Sequence, residues 1–155
     1  MGDGVQRLLI VDDDRKAIEV LVRIFERAGY EVDRSDSTAD ATFQVISAVE
    51  PYACVIGAFT DGGADAAVAF VTGIWSHPDD TIATTRVVLV PTSGREARDA
   101  WEAGVDGFAA RPVYEHDMIA EVNSAASRDE ADREFHRAQQ LAAIDEGAEG
   151  PRGLQ

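Results

Sequence analysis

An α/β fold, with one five-stranded parallel sheet flanked by five helices and followed by a helical extension, is what this sequence predicts on three observations. Short continuous apolar runs alternate with longer amphipathic stretches, the pattern of strands buried on both faces and linked by crossover helices. Glycine, proline and capping residues punctuate the boundaries between them. Polar and glycine-rich patches follow the apolar runs, and such a sheet gathers its functional groups at the carboxyl ends of its strands.

The first strand is the run 8–11, ended by Asp12, Asp13 and Asp14. A helix over 15–28 follows, with Ile18, Leu21, Val22 and Phe25 at helical spacing and Gly29 as its C-terminal cap. The second strand covers 30–34. Ser37 caps the next helix, whose inner face carries Ala41, Val45, Ile46 and Val49, and Pro51 ends it. The third strand, 52–59, leads into the turn Asp61-Gly62-Gly63. An apolar helix over 66–75 carries Val68, Phe70, Val71 and Ile74, and 77–86 reads as a polar loop. The fourth strand is 87–90. A helix over 95–103, opening on Arg95 and closing on Ala103, is capped by Gly104. A fifth strand runs over 105–110, from Val105 to Ala110, before Pro112, and a last helix begins near Tyr114 or Glu115.

Right-handed crossovers in such a chain bring 12–14, 57–61, 91–94 and Arg111 to one edge of the sheet. Beyond Ser127, Ala131, Phe135, Ala138, Leu141 and Ala142 recur at helical spacing in a charged background. This narrow stripe suits packing either on the chain's own domain or on a partner.

Acids outnumber bases, 29 to 14, for a formal net charge of -15. So acidic a chain repels nucleic-acid phosphates, which argues against direct DNA or RNA binding. Its single cysteine, Cys54, excludes an intramolecular disulfide and sits in an apolar run. No apolar stretch is long enough to span a bilayer, and the N-terminus lacks the pattern of a signal peptide, so a cytoplasmic location is expected. Gln6 stands where a myristoylation signal wants Ser or Thr. His77, His116 and His136 show no metal-ligand spacing with one another or with Cys54. Neither a nucleophile elbow nor a dinucleotide-binding glycine fingerprint is present, and the turn after Asp61 lacks the glutamate of a calcium loop.

Three ordered features carry a resemblance to a known family. They are Leu8-Leu9-Ile10-Val11-Asp12-Asp13-Asp14, Pro51-Tyr52-Ala53-Cys54-Val55-Ile56, and Glu102-Ala103-Gly104-Val105-Asp106-Gly107-Phe108 followed by Arg111-Pro112. Over residues 7–127 the chain resembles the receiver domains of two-component response regulators, the CheY-like (flavodoxin-like) family. The resemblance implies that Asp12 and Asp13 match an acid pair that binds Mg²⁺, a hard cation that prefers carboxylate oxygens. Capping of the following helix is the alternative role for these aspartates.

The departures from the family point to the function. Gly57 stands where the family has its phosphoacceptor aspartate, and glycine can neither attack a phosphoryl group nor ligate a metal. Any Mg²⁺ site at Asp12 and Asp13 is therefore expected to be weak or absent, and no cofactor is expected. Arg111 replaces the family's lysine before proline, keeps the charge on a larger planar fork, and can pair with Asp12 or Asp13. The switch hydroxyl falls near Pro91 or Thr92, with Ser93 beside them. Phe108 matches the family's switch aromatic or serves as a plain core residue. Asp61 is displaced by four residues, at roughly 3.3 Å each, from the phosphoacceptor position.

The sequence thus predicts a pseudo-receiver in two-component (phosphorelay) signalling, acting as a phosphorylation-independent interaction module rather than an enzyme. A signalling protein or a second copy would dock on the helix 95–103, the strand 105–110 and the last helix. Trp101 there is either an exposed anchor or buried against its own sheet. The alternatives are a receiver phosphorylated on a non-standard aspartate and a small-ligand sensor using the altered pocket. The expected organisation is a disordered 1–6, the receiver-like domain 7–127, a helical extension 128–146 and a disordered tail 147–155.

Overall fold

A computed structural model describes residues 6–58, 63–90, 97–109 and 114–154, without the side chains at 63–68, 97, 99 and 147–154. Among these residues lie five strands and seven helices, in the order β1 (Arg7–Val11), α1 (Arg15–Arg27), β2 (Glu31–Ser35), α2 (Thr38–Ser47), β3 (Cys54–Gly57), α3 (Gly63–Trp75), α4 (Asp80–Ala83), β4 (Val87–Leu89), α5 (Ala97–Ala103), β5 (Gly107–Phe108), α6 (Glu115–Ser127) and α7 (Glu130–Leu154). The strands form one parallel sheet in the order β2-β1-β3-β4-β5. The order reverses between β1 and β3, which places a crevice above the carboxyl ends of those two strands.

Side-chain alternation along the strands divides the core in two. Leu8, Ile10, Ile56 and Val88 face α1 and α6, where Ile18, Val22, Phe25, Met118 and Val122 cover them. Leu9, Val11, Val55, Val87 and Leu89 face α2, α3 and α5, where Ala41, Val45, Phe70, Ile74 and Trp101 pack. Buried on both faces, β1, β3 and β4 need the continuous apolar runs that announce them in the sequence.

The boundaries follow local chemistry. Asp14 caps α1 by accepting from the Lys16 and Ala17 amides at 2.9 and 3.2 Å, and Ser37 caps α2 by accepting from the Asp40 amide at 3.1 Å. Gly29 and Gly104 end their helices with φ of 101° and 109°, a conformation that favours glycine. At Gly104 a Cβ would also run into the Trp75 ring.

Three sequence expectations need correction. Helix α2 stops at Ser47, one turn earlier than the pattern suggests, which leaves Val49 99% exposed in the following loop, and Ile46, within the helix, faces outward rather than onto the sheet. Apolar periodicity continued past the point where tertiary packing stopped supporting the helix. The polar loop 77–86 contains the short helix α4, capped by Asp79 through the Thr81 amide at 2.9 Å. Strands β3 and β5 are shorter than their apolar runs, because pairing ends before hydrophobicity does. Helix α7 occupies the stretch whose pattern predicts an extension and continues through 147–154.

Candidate functional site at the carboxyl edge of the sheet

Parallel pairing sets Val11 of β1 beside Gly57 of β3, and Gly57 beside Leu89 of β4. Gly57 is buried in regular ladder on both sides: the Ala58 amide donates to the Val11 carbonyl at 2.8 Å, and the Val90 amide donates to the Gly57 carbonyl at 2.9 Å. The backbone at this position is therefore that of an ordinary central strand end, without a side chain. Asp12, one residue beyond β1, is buried, and Asp13 is half-buried. Asp12 and Asp13 thus follow directly on Val11, the residue paired with Gly57.

The capping alternative resolves onto a different residue. Asp14 caps α1, while Asp12 Oδ1 accepts from the Asp14 amide at 2.9 Å. That bond holds the Asp12 carboxylate at the strand end and steadies the turn into α1. On the β2 side of Asp12 a cleft of about 450 Å³ opens between α1, β2 and α2, with Arg15, Arg34, Asp36 and Asp40 on its walls. Arg34 pairs with Glu19, and hydrogen bonds from Ser35, then Gln44, hold the Asp40 carboxyl below its usual range. Its walls carry both charge signs, and the arginine-carboxylate pair partly neutralises them.

Among the described residues, no group of three or more His, Cys, Asp or Glu side chains is placed to hold a metal ion. Of the described residues at this edge, Asp12 and Asp13 carry carboxylates and Gly57 carries none. Thr92 and Arg111, together with the alternative acceptor Asp61, lie outside the described residues. Phe108 is half-buried on β5, at the back of a second cleft of about 370 Å³ with Trp101, Glu121 and His136.

Sequence reasoning missed a buried charge cluster at the opposite, amino edge of β4. Asp106, with its side chain 1% exposed, takes a two-pronged contact from Arg133 of α7: Nε donates to Oδ1 at 2.6 Å and Nη2 to Oδ2 at 3.1 Å. The Val87 amide also donates to Asp106 Oδ2 at 3.0 Å, and Arg133 Nη1 donates to the Thr84 carbonyl at 3.0 Å. Burial opposes the guanidinium charge of Arg133, but the Asp106 carboxylate overcomes it and raises the pKa. Arg133 also lies over the Trp75 ring, as does Arg137, at 5.7 and 5.3 Å from its centroid. The sequence signals were the aspartate in Val105-Asp106-Gly107 and an arginine in the extension, but nothing in their spacing joined them.

Trp101 is buried, not an exposed anchor: the His136 ring of α7 meets it edge-on at 5.4 Å. The face formed by α5 and β5 is thus partly covered by the chain's own helix.

No protein-family model matches the sequence, and no curated protein matches it. Solved structures do match the fold. A putative response regulator from Chloroflexus aurantiacus superposes with a TM-score of 0.71 at 25% identity, covering 81% of this chain and 100% of that one. A sensor protein from Polaromonas gives a TM-score of 0.67 at 23% identity over 78% of this chain and 95% of its own. The receiver domain of a Pseudomonas aeruginosa sensor histidine kinase, which has a magnesium ion coordinated in its active-site cleft, gives 0.69 at 12% identity over 81% and 100%. With its parallel sheet in the order β2-β1-β3-β4-β5, the chain has the CheY-like fold of response-regulator receiver domains.

Proposed function

We propose that this chain is a receiver-like module of two-component signalling that works by protein contact, without accepting a phosphoryl group. The observation that carries the reading is Gly57, held between Val11 and Leu89 at the carboxyl end of the central strand, beside Asp12. A carboxylate there would be the nucleophile; glycine leaves the position without one, and with it goes one ligand of any metal. In this reading the chain has no catalytic residue and needs no cofactor. Its signal passes through surfaces, and the face of α5, β5 and α6 is the one that a signalling protein or a second copy would use. Its acidic balance favours a partner surface of neutral or positive charge.

Intact-mass measurement after incubation with Mg²⁺ and a small phosphodonor tests this. The wild-type chain is expected to gain no phosphate. Gly57→Asp, run alongside, asks whether restoring the carboxylate restores uptake. One phosphate on the wild type would overturn the reading and would point to another aspartate, which peptide mapping would identify.

A further inference from the structure

We propose that the outward face of α2 is the surface on which two copies of this chain meet, pairing antiparallel about a two-fold axis at Ile46. The inference goes beyond the contact-module reading. It gives a second copy its own surface and leaves the face of α5, β5 and α6 to a signalling protein.

Helix α2 is apolar on both sides. Ala41 and Val45 turn inward onto the sheet. On the outside Ala39, Phe43 and Ile46 recur at i, i+4 and i+7. Phe43 is 67% and Ile46 44% exposed, and Val49 continues the row just past the helix. A helix apolar all round belongs in an interior, and the described residues cover one side only. The other large exposed apolar side chains among them, Val20, Tyr114 and Phe135, stand far apart in the sequence, and singly exposed residues are ordinary. The outward side of α2 also makes no unmet polar demand. Thr42 donates to the Thr38 carbonyl at 2.8 Å and Ser47 to the Phe43 carbonyl at 2.6 Å, so both hydroxyls are satisfied inside the helix.

Charge selects a second copy as the occupant. Between Ser37 and Val49 the one charged residue is Asp40, in a chain 28% charged. Ser35 and Gln44 hold the Asp40 carboxylate at 2.8 and 2.7 Å. Depletion of charge marks the core of an interface. Two chains of net charge -15 repel over most of their surfaces, and this stretch is where they can touch. A basic partner finds no row of acids here, and an anionic membrane repels the rest of the chain. The face is also self-matching. Phe43 stands three residues before Ile46 and Val49 three after it. A two-fold axis at Ile46 therefore sets Phe43 of each copy over Val49 of the other, the reciprocity an isologous contact requires. Val49, Ala48 and Tyr52 line a cleft of about 380 Å³ that receives the ring, with Glu50 exposed at its rim. Arg7 and Asp33 in that cleft are already paired, and Tyr52 donates to Asp33 at 2.7 Å. One 10-residue helix and a loop from each copy make a contact at the small, transient end of protein interfaces. Association is expected with a Kd on the order of 100 μM.

Sedimentation velocity on the full chain, from about 10 μM to about 1 mM, spans that Kd and should show a reversible dimer. Raising NaCl from about 0.05 to about 0.5 M screens the repulsion and should tighten the dimer several-fold, whereas a contact made of ion pairs loosens. Phe43→Asp should stay monomeric throughout, with its thermal melt unchanged. Val49→Asp should do the same from a loop side chain that is almost fully exposed and supports no packing. Phe135→Asp, on α7, should leave the dimer intact. Under mild oxidation Ile46→Cys should form a covalent dimer at least roughly tenfold faster than Ala39→Cys, because the axis joins the Ile46 positions and holds the Ala39 positions about 20 Å apart. A wild-type monomer at the highest concentration would overturn the proposal, and a different protein would then be the occupant of α2. A dimer that salt loosens, a dimer that survives Phe43→Asp and Val49→Asp, or equal crosslinking rates would overturn it too. None of these results depends on phosphate uptake, so failure here is distinct from failure of the contact-module reading.

Discussion

Asp106 and Gly104 sit two residues apart and serve the same joint, where α5, β5 and α7 meet Trp75. Asp106→Asn keeps the shape but leaves the Arg133 guanidinium buried against a neutral amide. Breaking such a pair from one side costs about 3–5 kcal/mol, and urea denaturation should show that loss. Gly104 and Gly29 allow a controlled comparison, because both have positive φ while only Gly104 is crowded. Gly29→Ala should cost about 1–2 kcal/mol for the left-handed backbone alone. Gly104→Ala adds the collision with Trp75, for roughly 2–5 kcal/mol in total. Equal losses in thermal melts of the two variants would show that the Trp75 ring yields freely. At the carboxyl edge the residue-scale fact is Gly57, buried at the end of β3 between Val11 and Leu89.

Helices are the scale at which the pH response belongs. Burial first, and then the nearby Arg128, hold the His136 imidazole below the usual histidine range, with Glu121 and Asp106 pulling weakly the other way. A released or unfolded α7 takes up the proton near the ordinary value of about 6.5, whereas the docked helix resists it. Docking is therefore at full strength above that pH and weakens as pH falls through it toward the lower docked value. Hydrogen exchange of α7, corrected for the intrinsic pH dependence of amide exchange, should quicken between about pH 7.5 and pH 5.5 relative to β3. His136→Gln should flatten that response. Helix α2 gives a contrasting element-scale lesson: with Ile46 and Val49 exposed, its hold comes from Ala41, Val45 and the Ser37 cap. Ser37→Ala should cost about 1 kcal/mol, read from the urea midpoint.

For the molecule as a whole, Cys54 is a built-in reporter. It lies at the start of β3 in the middle of the sheet, fully buried, and burial pushes its thiol well above the usual range. Thiolate is the reactive form, so a thiol reagent should label the native chain only as fast as the sheet itself opens. Labelling that keeps pace with global unfolding would mark β1, β3 and β4 as one cooperative unit; labelling with no added urea on the time scale of α7 motion would show the sheet opening with its cover. No helix of the described residues is long and apolar enough to cross a membrane. The matching sensor-protein and response-regulator structures extend over 78% and 81% of this chain.

The sequence by itself determined the sheet, because buried parallel strands must be continuous apolar runs and their crossover helices must be amphipathic. It also determined that position 57 carries no side chain, since a glycine is visible as a letter. Caps at Asp14, Ser37, Gly29 and Gly104 were legible for the same local reason: each satisfies backbone groups within a few residues. Helix ends at Ser47, the short α4 and the limits of β3 and β5 were not, because they depend on where neighbouring elements stop giving support. Only the tertiary structure decided that Trp101 lies under His136 and that Asp106 grips Arg133. Those pairs are 35 and 27 residues apart, and contact at that range follows from packing of whole elements, which no local periodicity encodes.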